Sequence, residues 1–153
     1  MTDATIRRFD PDDSDAVLAL NERAMAAEGT DPEDVPGIDD LRRIEAEYLD
    51  SGGEFLVADL DGEIVGMGGL TVDGETAEVF RMRVDPAYQH RGIGSALLDR
   101  LAQAARERGA TRLLAETARR QQAATEFYPA HGFEEQDRRS FGEYELIQFE
   151  KQL

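Results

Sequence analysis

Three runs of strand-forming residues, joined by two Asp-Gly pairs, constrain the fold of this chain more than any other feature. The pairs are Asp61-Gly62 and Asp73-Gly74, and the runs are EFLVADL (54–60), EIVGMGGLTV (63–72) and ETAEVFRMRV (75–84). Asp-Gly favours the tight turns that connect antiparallel strands. Asp85-Pro86 ends the third run, because proline cannot donate to a strand ladder. The segment therefore predicts a three-stranded antiparallel meander.

Helical and strand-like segments flank the meander on both sides. We predict strands at 4–9 and 112–117, helices at 13–28, 38–50, 92–108 and 121–132, a loop at 29–37, and two final strands after 133 with a turn near Gly142. The strand–helix–strand order that ends at 117 indicates a parallel crossover. Residues 1–153 are thus expected to form one α+β domain, a single mixed and mostly antiparallel twisted sheet of about seven strands flanked by about four helices.

The chain is strongly acidic, with 33 Asp and Glu against 17 Lys and Arg and a net charge of −16. All the basic residues except Lys151 are arginines. Such a surface repels phosphate backbones, which argues against nucleic-acid binding. An excess of carboxylates with almost no lysine is typical of proteins from a salt-loaded cytoplasm, where salt screens the repulsion. We expect a halophilic source, with an ordinary acidic mesophilic protein as the alternative.

Composition also argues against metal and membrane chemistry. The chain has no cysteine, and its two histidines, His90 and His131, are too few for a histidine-rich site, so we expect no metal. No apolar run approaches the roughly 20 residues needed to span a bilayer, and the N-terminus MTDATIRRFD lacks a signal-peptide core. The prediction is a cytoplasmic protein that does not bind membranes.

The stretch QHRGIG (89–94) lies between the third meander strand and the next predicted helix and contains no acidic residue. Exposed N–H groups at a helix start, with glycines that allow close backbone approach, form an anion site. Arg91 adds a full positive charge there. The alternatives are a turn that only redirects the chain, and a dinucleotide fingerprint. GIGSAL lacks the third glycine of that fingerprint, and a meander precedes it rather than a doubly wound sheet.

Two stretches together carry a resemblance to a known family. VDPAYQHRGIGSALL resembles the acyl-CoA-binding motif of the GNAT-type N-acetyltransferase superfamily, and ETARRQQAATEFYPAHGF is similar to that family's second motif, with Phe-Tyr followed by Gly-Phe. The order of the predicted elements also matches. The resemblance covers essentially residues 4–153, most strongly about 55 to 134, and implies a GNAT-type fold.

The resemblance implies that acetyl-CoA is the co-substrate. Its pyrophosphate would lie on the backbone N–H groups of the turn, and its pantetheine arm would run beside the third meander strand, which this family splays away from the strand at 112–117. The implied contacts are Met82, Arg83, Val84, Gln89, Arg91, Gly92, Ile93, Gly94, Ser95 and Thr117. Thr117 stands where many relatives carry an Asn that helps to hold the cofactor, and its hydroxyl reaches less far.

The same resemblance places two catalytic residues. Tyr128 matches the family's general acid, whose phenol would protonate the departing thiolate, and Glu78 matches a general-base carboxylate on the third meander strand. Strict alternation would put Glu78 on one face with Phe80, Met82 and Val84. The alternatives are a Tyr128 that only packs in the core and a Glu78 that is an ordinary solvated carboxylate. Pro129 is expected to kink the helix beside Tyr128.

The acceptor implied by the family is an amine, either of a small molecule or of a peptide or protein. An acidic region around 22–40 would suit a cationic amine, although the whole chain is acidic. Relatives commonly dimerise through the terminal strands, so a homodimer is compatible with the resemblance. The rival functions are a non-catalytic acyl-CoA-binding sensor or partner module, and a nucleotide-binding regulatory domain.

Overall fold

A single seven-stranded sheet forms the centre of the protein. The computed structural model describes residues 4–27, 38–118, 122–141 and 144–153, so the predicted loop at 29–37 and the turn near Gly142 lie outside the described residues. The strands are β1 (Thr5–Arg8), β2 (Glu54–Leu60), β3 (Glu63–Asp73), β4 (Thr76–Val84), β5 (Arg112–Ala118), β6 (Glu134–Phe141) and β7 (Tyr144–Gln152). Their order across the sheet is β1-β2-β3-β4-β5-β7-β6.

Strand directions confirm the predicted mixed sheet. β4 and β5 are parallel, and each other neighbouring pair is antiparallel. β2, β3 and β4 form the predicted meander. Asp61 and Gly62 both have positive φ, 52° and 90°, as expected of an Asp-Gly hairpin turn that follows the twist of its strands.

In the part of the chain that the structure describes, three α-helices and one irregular helical segment cover the sheet. The helices are α1 (Ser14–Ala27), α2 (Ile93–Glu107) and α3 (Gln122–Ala130), and short 3-10 turns at Pro11–Asp13 and Pro86–Tyr88 precede α1 and α2. Gly92 is the N-cap of α2 rather than its first residue. No helix in the described ranges is long and apolar enough to cross a membrane.

The helix predicted at 38–50 is instead a 3-10 turn (Ile38–Arg42) followed by a short π-helical turn (Glu45–Leu49). Its apolar stripe is buried as expected, at Leu41, Ile44 and Tyr48. The prediction of a regular helix was wrong, and in the irregular segment the Tyr48 hydroxyl donates to the Asp40 carboxylate over 2.6 Å. Eight residues of α-helix would separate these positions by about 12 Å.

Each face of the sheet has its own apolar cluster. One cluster lies mainly under α2 and α3 and includes Leu97, Leu101, Val79, Leu113 and Phe149. The other lies mainly under α1 and the irregular segment and includes Leu20, Tyr48 and Phe55. The two faces are called the α2 face and the α1 face below.

Candidate active site

β4 and β5 separate in the middle of the sheet. Their parallel pairing runs from Thr76–Arg112 to Val79–Ala115 and ends there. β4 nevertheless continues to Val84 on its β3 side, and β5 continues to Ala118 on its β7 side. The segments 80–84 and 116–118 therefore border an opening in the sheet, which we call the β4–β5 slot. An unpaired strand edge of this kind presents backbone N–H and C=O groups to a ligand.

A β-bulge shapes the β4 side of the slot. Between the paired residues Gly69–Phe80 and Met67–Arg83, β4 has two residues and β3 has only Gly68. Arg81 is one of the two, and its φ of 57° lies in the left-handed region. A bulge shifts the alternation of the side chains that follow it.

The bulge overturns the predicted alternation along β4. Glu78 and Phe80 lie on the α1 face, where the Phe80 ring is 6.5 Å from the Tyr48 ring. Met82 instead lies on the α2 face, because a Cβ on Gly68 would contact both Met82 and Leu101. Val84 also packs against the cluster of that face. The prediction that Glu78, Phe80, Met82 and Val84 share a face was therefore wrong.

The Arg81 side chain holds the bulge in place. Its Nε and a terminal nitrogen donate to the two oxygens of Asp40 over 3.1 and 2.8 Å. The hydrogen bonds from Arg81 and Tyr48 hold the pKa of Asp40 below its ordinary value, although partial burial opposes this shift. One carboxylate thus joins the irregular segment to the bulged strand.

We expect Arg81→Ala to lower the free energy of unfolding by about 2 kcal/mol, because it leaves a partly buried carboxylate without its cation and keeps a Cβ at a left-handed backbone position. Arg81→Gly, which loses the same ion pair but relieves the backbone, should unfold at a higher urea concentration than Arg81→Ala. Equal midpoints for the two variants would show that the left-handed position carries no strain.

The N-terminus of α2 lies at the end of β4. Gly92, with φ of 81°, is its N-cap and supplies no side-chain hydrogen bond, and the first N–H that bonds back into the helix is that of Ala96, to the Gly92 carbonyl over 3.0 Å. The N–H groups of Ile93, Gly94 and Ser95 are therefore the unpaired donors of the first turn. Together with the helix dipole they form a group that can bind an anion.

Side chains around this turn fit the same purpose. The Arg91 guanidinium lies 5.2 Å above the Tyr88 ring, which keeps a positive charge beside the turn. Gln89 is half-buried, whereas His90 is exposed and has a φ of 63°. A Cβ on Gly94 would lie 3.3 Å from the Phe127 ring, so glycine allows α3 to pack directly on this turn.

The loop from β4 to α2 is fixed by a residue pair that the sequence did not reveal. Asp85 is buried, accepts a hydrogen bond from the Ala87 N–H over 2.9 Å and forms an ion pair with Arg23 of α1 over 3.0 Å. The sequence marked Asp85-Pro86 only as the end of a strand. The partner is 62 positions away, so no local pattern indicated it.

Tyr128 lies on the α2 face, with its ring between Phe127, Phe133 and Phe149 at centroid distances of 5.2 to 5.7 Å. Its side chain is buried, and the burial raises the pKa of Tyr128 to about 12, against the field of Arg83. The phenol is neutral and can donate a proton.

Pro129 lies inside α3, which nevertheless continues to Ala130. The N–H groups of His131 and Phe133 both donate to the Tyr128 carbonyl, over 3.0 and 3.1 Å, and so close the helix end. Because proline is in the last turn, its missing N–H removes only one hydrogen bond. The Tyr128 ring is in the core despite this proline.

Glu78 lies on the α1 face, half-buried, opposite Leu114 of β5. Burial raises its pKa, the negative charge of Glu116 raises it further, and Arg139 opposes both. Arg139 itself forms an ion pair with Glu116. The carboxyl group at Glu78 thus binds its proton more tightly than an ordinary solvated one.

The remaining predicted contacts border the slot. Arg83 lies on the α1 face, where its Nε donates to Asn21 of α1 over 3.2 Å, and its terminal nitrogen donates to the Met82 carbonyl. Thr117 is buried on β5, paired with Ile147. No cluster of three or more His, Asp or Glu side chains in the described ranges is arranged to hold a metal ion.

β4 and β5 thus separate beyond Val79 and Ala115, and the first turn of α2 follows the loop at the end of β4. The profile described as "Acetyltransferase (GNAT) family" matches residues 18–133. The chain therefore belongs to the GNAT acetyltransferase family.

Known proteins similar to this chain agree with that assignment. A mycothiol acetyltransferase from Clavibacter sepedonicus is 42% identical over 90 residues, which is 59% of this chain but only 29% of that longer protein. A GNAT-family acetyltransferase from Staphylococcus aureus has the same fold, with a TM-score of 0.86 at 24% identity over 98% of this chain and 99% of its own. An acetyltransferase from Salmonella typhimurium, solved with its cofactor acetyl-CoA, has a TM-score of 0.78 at 25% identity and covers 99% of this chain and 95% of its own.

Proposed function

We propose that this protein transfers the acetyl group of acetyl-CoA to a primary amine by direct attack of the amine on the thioester. The observation that carries the proposal is the position of the β4–β5 slot. Glu78 lies on the α1 face of the sheet beside it, Tyr128 lies on the α2 face, and the first turn of α2 is at its end. In this proposal Glu78 would serve as the proton acceptor on one face of the sheet, and Tyr128 would serve as the proton donor on the other.

The donor side fits the groups of acetyl-CoA. The N–H groups of Ile93, Gly94 and Ser95, with the nearby Arg91, suit a diphosphate. The backbone of Met82, Arg83 and Val84 on the slot edge suits the two amides of the pantetheine arm, and Gln89 and Thr117 would add contacts at either end. The acetyl-CoA bound to the Salmonella typhimurium relative supports the same choice of donor.

Two side chains carry the chemistry. Glu78 would take the proton that the attacking amine loses, and its raised pKa brings it closer to the pH at which the enzyme would work. Tyr128 would give its proton to the departing thiolate, and the positive charge of Arg83 acts to lower the pKa of the phenol toward that task. The acceptor would approach from the α1 face, where Phe80 offers the exposed apolar surface beside Glu78.

The acceptor class is an amine of a small molecule or of a peptide. The Glu78 and Glu116 carboxylates on the α1 face would attract a protonated amine before it loses its proton. The name of the Clavibacter sepedonicus relative points to a small-molecule substrate for that protein. A panel of amines, amino acids and N-terminal peptides, assayed for release of free CoA thiol, tests the proposal.

We expect CoA to stabilise the purified protein. A ligand that binds only the folded state adds about 2.7 kcal/mol at 100 times its Kd, which is about 5 to 10 °C in the midpoint of unfolding for a domain of this size. CoA and acetyl-CoA should produce this shift, whereas NAD and ATP should not. A shift with CoA but no thiol release with any amine would indicate a binding module, and a shift with NAD alone would contradict the donor site.

A further inference from the structure

His131 forms two hydrogen bonds that link α3 to the first turn of α2. Its Nδ1 is 2.8 Å from the carbonyl oxygen of Phe127, one helical turn earlier in α3. Its Nε2 is 2.8 Å from the hydroxyl oxygen of Ser95 in α2, 36 positions away. The imidazole thus joins the end of one helix to the beginning of another.

The chemistry of the partners fixes the direction of the first bond. A carbonyl oxygen can only accept, so Nδ1 carries the hydrogen and donates to Phe127. In the neutral ring Nε2 is then an acceptor, and it takes the hydrogen of the Ser95 hydroxyl. Both hydrogen-bonding positions of the ring are in use, and the Phe127 ring, 4.3 Å away, holds its plane.

The buried Ile93 side chain anchors the first turn of α2 in the core, but the backbone around it contains two glycines. These are Gly92 and Gly94, and the N-cap contributes no side-chain hydrogen bond. Glycine gives a helix end more conformational freedom than any other residue. Ser95 is the third residue of the helix, so its bond to His131 acts on the same turn whose N–H groups face outward.

We propose that His131 is a positioning residue for the donor diphosphate: through Ser95 it holds the first turn of α2 in the conformation that receives the anion. The inference rests on the proposed use of acetyl-CoA. If the backbone N–H groups of the turn already point toward one place, they need not be ordered when the ligand binds. A fixed turn therefore binds a diphosphate more tightly than a frayed one. His131 itself does not need to touch the ligand.

The test compares ligands with and without the diphosphate. CoA and pantetheine share the thiol arm, and only CoA has the nucleotide and the diphosphate. Two preference ratios are measured for the wild type. The first is the calorimetric Kd of pantetheine divided by that of CoA, and the second is kcat/KM for acetyl-CoA divided by kcat/KM for S-acetylpantetheine. His131→Phe keeps a ring against Phe127 and removes both hydrogen bonds, and His131→Gln keeps an amide within reach of Ser95.

We expect His131→Phe to reduce both preference ratios about fivefold, the equivalent of one net hydrogen bond, and His131→Gln to recover most of the loss. Ser95→Ala, which leaves the ring and the core intact, should reduce the ratios as much as His131→Phe. The double variant Ser95→Ala/His131→Phe should lose no more than either alone, because both remove the same link.

Three results would overturn this role. Unchanged ratios in His131→Phe and Ser95→Ala would show that the link does not serve the diphosphate. An equal loss of affinity for CoA and for pantetheine would show a purely structural role. Additive losses in the double variant would show two independent contacts. If the wild type binds neither CoA nor acetyl-CoA, the proposed function itself fails, and that outcome is visible before any variant is made.

Discussion

Tyr128→Phe is expected to reduce kcat/KM for acetyl-CoA about 100-fold, in the range typical of a lost general acid. The change deletes only the hydroxyl, and the ring keeps its contacts with Phe127, Phe133 and Phe149. The free energy of unfolding should therefore change by about 1 kcal/mol or less. Initial rates of thiol release, measured together with the urea midpoint, separate a chemical defect from a folding defect.

The matched control is Tyr88→Phe. The hydroxyl of Tyr88 makes only a long 3.4 Å contact with Glu63, and Tyr88 is on the loop before α2. Its loss should leave the rate within about twofold of the wild type. Because the pKa of Tyr128 is raised to about 12, the wild-type rate should show no decline from loss of the Tyr128 proton between pH 7 and 10. A Tyr128→Phe enzyme as fast as the wild type would remove tyrosine from the mechanism and leave water as the proton donor.

Glu78→Gln is expected to change activity and stability in opposite directions. Without a proton acceptor, kcat/KM at neutral pH should fall about 100-fold. Because burial and the charge of Glu116 raise the pKa of Glu78 in the folded protein, its ionised form is less favourable there than in the unfolded chain. The amide removes this cost, so the midpoint of thermal unfolding at pH 7 to 8 should rise.

The sign of this stability effect depends on pH. Below the ordinary glutamate pKa, about 4.3, Glu78 is protonated in both states and the variant has no advantage. As the pH rises through the folded pKa, the wild type loses stability relative to Glu78→Gln, because unfolding releases a proton. The wild-type rate should also fall on the acid side, with an inflection above the ordinary glutamate pKa.

Glu75→Gln is the matched control for this pair of measurements, because Glu75 is exposed in the turn before β4. It should change neither the rate nor the midpoint. A Glu78→Gln enzyme that is more stable but equally fast would show that Glu78 is only a strand carboxylate whose ionisation destabilises the fold, and not the general base.

Local patterns predicted the framework of this fold because they encode local geometry. The two Asp-Gly pairs gave the meander, since their backbone preferences suit a tight hairpin whatever lies around them. QHRGIG predicted the start of α2 for the same reason, because its glycines suit the turn that leads into a helix. The choice of Tyr128 and Glu78 as candidate catalytic residues came from the resemblance to the family's motifs, and their roles stay predictions.

Tertiary partners determined the features that the sequence did not predict. The bulge at Arg81 needs Asp40 as its counter-ion and Gly68 opposite it, and alternation along β4 contains no sign of either. It moved Met82 and Val84 to the other face of the sheet. The bond between His131 and Ser95 depends on how α3 packs against α2, so no local pattern indicated it.

Because Glu78 and Tyr128 lie on opposite faces of the sheet, the two substrates would reach the proposed active site through separate entrances. In the proposed reaction the acyl donor would enter between β4 and β5 from the side of α2, and the amine would approach from the side of α1, so neither substrate would block the other. We therefore expect a ternary complex of enzyme, donor and amine, so double-reciprocal plots of initial rates should intersect rather than run parallel. The free CoA product could then be replaced by a new acetyl-CoA while the acetylated amine is still dissociating through the other entrance.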